Sequence, residues 1–195
     1  MKKGEFDVFL KGELVDLVTV TEEMIDNSNW YSWFNDEEVT QNTQHHYFPN
    51  TRKKQLQFYK DEIENNKTRL QLGIVDKKNK ILVGMITLNL IDYLNQKCEI
   101  AGFIGEKKYQ NVSYFIEACK LIIKHAFDNL NMNRIYGSTM KKEISQLFCR
   151  ALGFKEEGIK RSDVYKNGKY YDVYLVGLLR EEFYAKTERN TRPDL

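Results

Sequence analysis

Apolar and polar residues change period several times along the chain, and those changes mark out its elements. Residues 98–127 carry the clearest pattern: a strand, a short polar loop and an amphipathic helix. Ile100, Phe103 and Ile104 are apolar around Ala101 and Gly102, and residues 106–111 are polar. Ala118, Leu121, Ile122 and Ala126 then recur at helical spacing, beside Ile116, Cys119, Ile123 and Phe127. Ser113 is the expected N-cap. A strand that enters a helix through a tight loop leaves unpaired N–H groups at the helix start. Those groups and the helix dipole favour an anion. The arrangement suits either a phosphate-bearing ligand or an ordinary crossover with nothing bound.

Upstream, residues 6–20 predict a hairpin turning at Lys11-Gly12, and Thr21 followed by Glu22 and Glu23 predicts a helix start. Trp30 and Trp33 are three apart and can share a helical face. Residues 39–50 read as a polar, aromatic loop carrying His45 and His46. Residues 51–65 read as a helix capped by Asn50 or Thr51. Residues 69–75 and 81–90 are predicted strands, and Gly84 marks a bulge or a close approach. Downstream come a strand at 134–139, a helix at 142–151 closed by Gly153, and strands at 162–165 and 171–176. The last two meet at Asn167-Gly168, a strong hairpin signal. Residues 178–184 read as a short ending, and 186–195 as a polar, frayed tail. The order predicts one α+β domain over residues 1–195, with its core at about 14–183. Its sheet is mixed and mostly antiparallel, with helices on both faces.

Composition then removes several classes of function. The chain has 195 residues, 42% apolar and 13% aromatic, enough for one real core. Its 30 basic and 28 acidic residues nearly cancel, so charge argues for neither nucleic acid nor a membrane surface. Cys98, Cys119 and Cys149 have no metal-ligand spacing, and an odd count does not suit a disulfide framework. With three histidines, two of them adjacent, a metal centre is not expected. No long apolar run follows Met1, so neither a signal peptide nor a membrane span is expected, and the cytoplasm is the default.

Three pieces of the chain together resemble the GNAT N-acetyltransferase family. One is the strand Glu99-Ile100-Ala101-Gly102-Phe103-Ile104-Gly105 with its loop and helix. Another is Ser145-Gln146-Leu147-Phe148-Cys149-Arg150-Ala151-Leu152-Gly153-Phe154, similar to the family's short helix ending in Gly-Phe. The third runs from Gly158 and Arg161 through residues 165–172 to Gly177-Leu178-Leu179. This piece, with residues 30–39, is similar to the branch that acetylates ribosomal-protein N-termini, small amines and amino sugars. The resemblance implies acetyl-CoA as co-substrate, held by a loop of the form Gln/Arg-x-x-Gly-x-Gly/Ala. Gln110 matches that form, whereas Ser113 and Phe115 stand at the small positions. Glycine there permits close backbone approach to a pyrophosphate. The Phe115 ring must therefore turn into the core, or the donor site is weakened.

The resemblance further implies donor contacts from Phe103, Ile104, Gln110, Asn111, Val112, Ser113, Tyr114 and Ser145. Trp33, His45 and Tyr47 are the expected acceptor contacts, in a segment bordering the acceptor site. Amine acetylation needs a group to take the amine proton and one to protonate the leaving thiolate. Glu99, an acid in an apolar strand, is the first candidate base, and His46 the next. Cys149, where many family members carry a tyrosine, is a candidate acid. Tyr114 and Tyr136 are spare phenols. The expected activity is acetylation of a small primary amine, an amino sugar being the best single choice. The alternatives are acetylation of a protein N-terminus, and a non-catalytic module that has lost its donor site. The C-terminal hairpin could pair across a homodimer.

Overall fold

Among the described residues, eight strands form one sheet in the order β1-β2-β3-β4-β5-β6-β8-β7. The structure, a computed structural model, describes residues 6–191. β1 (Val8–Lys11) and β2 (Val15–Thr19) form the expected hairpin. Three short helices follow: α1 (Glu23–Asn27), α2 (Trp30–Trp33) and α3 (Glu37–Thr40). α4 (Arg52–Tyr59) is capped by the Thr51 hydroxyl, which accepts from the Lys54 N–H, and runs on as π turns through Lys60–Glu64. β3 (Leu70–Asp76), β4 (Ile81–Asp92) and β5 (Lys97–Ile104) pair antiparallel in sequence order. α5 (Val112–Asp128) crosses over to β6 (Arg134–Thr139), which pairs parallel with β5. α6 (Lys142–Leu147) continues as π turns to Leu152, and Gly153 closes it at φ 90°. β7 (Lys155–Lys166) and β8 (Lys169–Leu179) complete the sheet, and α7 (Arg180–Thr191) follows.

Strand alternation divides the side chains between two cores. Leu72, Ile74, Ile86, Leu88, Cys98, Ile100, Ile135 and Leu178 face α5, which buries Ala118, Cys119, Ile122, Ile123, Ala126 and Phe127 against them. Each large side chain buried there contributes roughly 1.5–3 kcal/mol. On the opposite face Val18, Val75 and Met85 meet Met24, Ile25, Trp30 and Trp33 from α1 and α2. The helices therefore flank the sheet as the sequence predicts.

Four local expectations are corrected. Asn111, not Ser113, caps α5: its side chain accepts from the Ser113 N–H at 2.8 Å. Thr21 does not cap α1; the cap position is Glu22, with no side-chain bond. The strand predicted at 162–165 begins at Lys155, because β7 is an outer strand whose run of charged residues shows no period-two pattern. The ending expected at 178–184 is the end of β8 followed by α7, so residues 186–191 are helical rather than frayed. The rest of the expected tail, 192–195, and the start of the chain, 1–5, lie outside the described residues.

Two irregularities shape the middle of the sheet. The β3–β4 register jumps from Ile74↔Gly84 to Val75↔Leu82, leaving Val83 as the extra residue of a bulge. Its carbonyl accepts from the N–H groups of Gly105 and Glu106 at 2.8 and 3.0 Å, fixing the chain as it leaves β5. A Cβ on Gly84 would collide with the Phe103 carbonyl, which is the close approach its sequence position suggests. The second irregularity is that β5 and β6 pair at only three rungs, Lys97↔Arg134, Cys98↔Ile135 and Glu99↔Tyr136, and then part.

Candidate active site

The parting of β5 and β6 leaves the β6-facing backbone edge of β5 without a strand partner from Ile100 to Ile104. At the apex stands Glu99, half-buried, with Asn89 of β4 beside it on one side and Tyr136 of β6 on the other. The Asn89 Oδ1 is buried and has no hydrogen-bond partner among the described residues. Burial and the Glu99 charge raise the Tyr136 phenol above its ordinary range, so it keeps its proton near neutral pH. Two rungs along β5, Ala101 is exposed, so the sheet face is open there. Glu99, Asn89 and Tyr136 thus gather a carboxylate, an orphan carbonyl oxygen and a protonated phenol.

The expected donor residues fall into separate places. Phe103 and Ile104 are adjacent in a strand and point to opposite faces. The Phe103 ring meets Trp33 and Phe34 edge-on at 5.9 and 5.5 Å, while Ile104 packs toward the α5 core. Gln110, Asn111, Val112 and Ser113 are exposed at the start of α5. The Asn111 N–H goes to the Tyr109 carbonyl and the Ser113 N–H to the Asn111 side chain. The Tyr114 hydroxyl donates to Asp76 at 2.7 Å, away from the cleft. Ser145 is fully buried and donates to Glu156 at 2.9 Å. The Phe115 ring turns inward, packing against Phe148 at 6.2 Å and lying 3.1 Å from where a Gly102 Cβ would be. Cys149 lies in the π segment after α6, partly buried against the same core.

The expected acceptor residues border a second feature. Trp33 is buried, its ring packed where a Gly105 Cβ would lie and its Nε1 donating to Glu106 at 3.2 Å. His45 packs edge-on against Phe34 at 4.7 Å. Desolvation, then the nearby Lys166 charge, lower its pKa. His46 adopts a left-handed φ of 73°, with Nδ1 3.3 Å from the Phe34 carbonyl oxygen. The Tyr47 hydroxyl donates to the Tyr165 carbonyl at 2.9 Å. His45, His46 and Tyr47 line a cavity of about 290 Å³ together with Phe34, Phe48 and Gln55.

Sequence reasoning missed Lys166. This side chain is 5% exposed and donates to the carbonyls of Thr40, Thr43 and His45 at 2.7, 2.6 and 3.0 Å. It ties the tip of the β7–β8 hairpin to the histidine loop. A turn lysine is ordinarily solvated, so no local signal marks it. Among the described residues no cluster of metal-ligating side chains occurs, and no helix is long and apolar enough to cross a membrane.

Comparison with known proteins follows the same outline. The family model described as acetyltransferase (GNAT) domain matches residues 15–155. YdaF of Bacillus subtilis (strain 168), whose name carries a provisional ribosomal N-acetyltransferase assignment, is 34% identical over 103 residues. That match covers 52% of this chain and 56% of YdaF. The uncharacterized N-acetyltransferase p20 of Bacillus licheniformis is 27% identical over 114 residues, 58% of this chain and 64% of p20. The chain therefore spans less than two thirds of both relatives. A crystal structure of spermidine N-acetyltransferase from Vibrio cholerae, in complex with CoA and spermine, superposes with a TM-score of 0.79 at 18% identity. It covers 89% of this chain and 99% of that one, a likeness of fold.

Proposed function

The chain belongs to the acetyltransferase (GNAT) family, and on that premise we propose that it acetylates the primary amine of a small molecule, with acetyl-CoA as donor. The observation that carries this reading is the parting of β5 from β6 directly after the Glu99↔Tyr136 rung. An unpaired strand edge offers N–H and C=O groups to the amides of an extended pantetheine arm. The residues present fit the donor on that side, through the edge from Ile100 to Ile104. At the α5 start the exposed Asn111 side chain sits on one of the N–H groups a pyrophosphate would use. It can turn away, because it is held by that one cap bond.

Acetyl-CoA supplies a thioester whose C–S bond breaks as the new C–N bond to the amine forms. Glu99 takes the proton that the amine loses. The Asn89 Oδ1, otherwise unpaired, accepts a second N–H of the amine and orients it. The Tyr136 hydroxyl, kept protonated by its surroundings, stands on the other side of Glu99 and supplies a proton toward the leaving sulfur. β5 N–H groups beyond the apex polarise the acyl oxygen. Among small amines an amino sugar is the acceptor we favour, because the aromatic walls of the neighbouring cavity suit a ring.

A second reading, a binding module without transfer, is favoured by one feature: Phe115 stands at a small position of the loop, and its ring, packed against Phe148, crowds Gly102 of β5 on the side facing α5. Calorimetric titration with acetyl-CoA and CoA, followed by thiol release with a panel of amines, decides between the two. No donor binding at millimolar concentration would remove the transfer reading.

A further inference from the structure

One residue that lines the cavity beside the cleft carries a buried donor without a partner among the described residues. Gln55, on α4, is 2% exposed and lines the cavity, and its buried Nε2 has no hydrogen-bond partner among the described residues. Its orientation is fixed by a chain of bonds. Asn50 Oδ1 accepts from the Thr51 N–H at 3.0 Å, so the Asn50 amide nitrogen must face the other way. That nitrogen donates to the Tyr31 carbonyl at 3.1 Å and to Gln55 Oε1 at 2.8 Å. Gln55 therefore spends its oxygen on Asn50, and its NH₂ is the group left over. A buried amide donor left unpaired costs about 1–3 kcal/mol, which a bound acceptor atom would recover. Around it stand Phe34, His45, Tyr47 and Phe48, which offer ring faces and edges. Phe34 also touches Phe103 on β5, four residues from Glu99, a span of about 13 Å along a strand.

We propose that this cavity is the specificity pocket for the acceptor, receiving a ring that presents an oxygen hydrogen-bond acceptor to Gln55 Nε2. The inference rests on the transfer reading for the word acceptor, though not for the binding itself. It excludes a protonated polyamine as the preferred occupant, because an ammonium chain carries only donors and leaves Gln55 unpaired. A hydroxyl, ether or carbonyl oxygen on a compact ring satisfies it, and the aromatic walls cover the ring faces.

The test measures binding without acetyl-CoA, by NMR shift perturbation. Glucosamine and phenylalaninamide carry the oxygen on a saturated and an aromatic body. Cyclohexylamine and phenethylamine are their oxygen-free counterparts, and spermidine is the chain amine. At least one oxygen-bearing probe is expected to shift residues 45–50 and 55 and to bind about tenfold tighter than its counterpart. Gln55→Leu is expected to erase that difference while leaving the oxygen-free amines unchanged. Should Gln55→Leu fail to fold, Gln55→Met keeps the length and serves the same purpose. Phe48→Ala, at a residue 82% exposed, is expected to weaken every ring probe severalfold. Equal affinity for each matched pair, tightest binding of spermidine at these residues, or indifference to both Gln55 and Phe48 changes would overturn the proposal. Loss of thiol release with the binding pattern intact would count against the transfer reading alone.

Discussion

Glu99 and Tyr136 face each other across the last parallel rung between β5 and β6, and beyond that rung the strands part. The pairing sets a carboxylate and a phenol raised by burial at the apex of the opening. If Glu99 takes the amine proton, Glu99→Gln lowers kcat/KM by roughly 10²–10⁴-fold. The melting temperature stays close to that of the parent chain. Tyr136→Phe should lower kcat more than it raises KM. Steady-state thiol release over pH 6–9 checks both. A Glu99→Gln enzyme within twofold of the parent would end the assignment.

Phe115 covers Gly102 and meets Phe148, so its ring both stabilises the contact of α5 with the π segment after α6 and crowds the α5 side of β5. Phe115→Ala removes both effects. The expected loss of stability is about 2–3 kcal/mol, below that of a fully buried Phe because the ring is only partly covered. CoA affinity is expected to rise. Alanine is the informative replacement, since glycine would add about 1 kcal/mol of helix cost. Thermal denaturation and calorimetry on one variant give both signs. Weaker CoA binding would show that the ring supports the donor site.

Asn111 holds the Ser113 N–H at the start of α5, the place where a phosphate would also bind. Asn111→Ala loses an N-cap worth about 1 kcal/mol, and the apo protein should melt a few degrees lower. If phosphate and cap compete, CoA binds the variant roughly fivefold more tightly, and the melting temperatures of the two CoA-saturated proteins converge. A constant gap at saturating CoA would mean that cap and donor use different groups.

What the sequence made legible, and what it did not, follows from the range of the interactions. Gly84 and Asn167-Gly168 are local demands of a bulge and a two-residue turn, so they read directly. Asn111 and Ser113 are both good caps, and sequence alone cannot rank them. The structure chooses Asn111 because helical φ/ψ already begin at Val112. Most of β7 escaped because an outer strand coated with charge lacks alternation. Glu99 could be singled out as an acid in an apolar strand, whereas Tyr136 gained a role only once the β5–β6 register placed it beside Glu99. Lys166 and Gln55 were illegible for the same reason. Each looks like an ordinary surface residue until distant backbone, or a neighbouring amide, surrounds it.

Lys166 and His45 yield a prediction with a definite pH sign. The Lys166 ammonium is buried on three carbonyls, including that of His45. His45 has its pKa lowered, first by desolvation and then by the Lys166 charge. A histidine with a depressed folded pKa is neutral in the native state, and the unfolded chain takes up its proton near 6.5. Below that value the unfolded state binds more protons, so this contribution to stability is present above pH 6.5 and falls as the pH drops. His45→Phe should flatten that part of the stability profile. Lys166→Met strands three carbonyls and is expected to cost about 2–4 kcal/mol. That corresponds to roughly 5–10 °C in Tm for a chain of this size. It should also speed hydrogen exchange in residues 40–46. In the same variant the His45 midpoint should rise, yet stop short of the ordinary value, because the larger cause, desolvation, remains. NMR titration of the His45 ring in both proteins reads this directly. An unchanged midpoint would show that the lysine charge does not reach the imidazole.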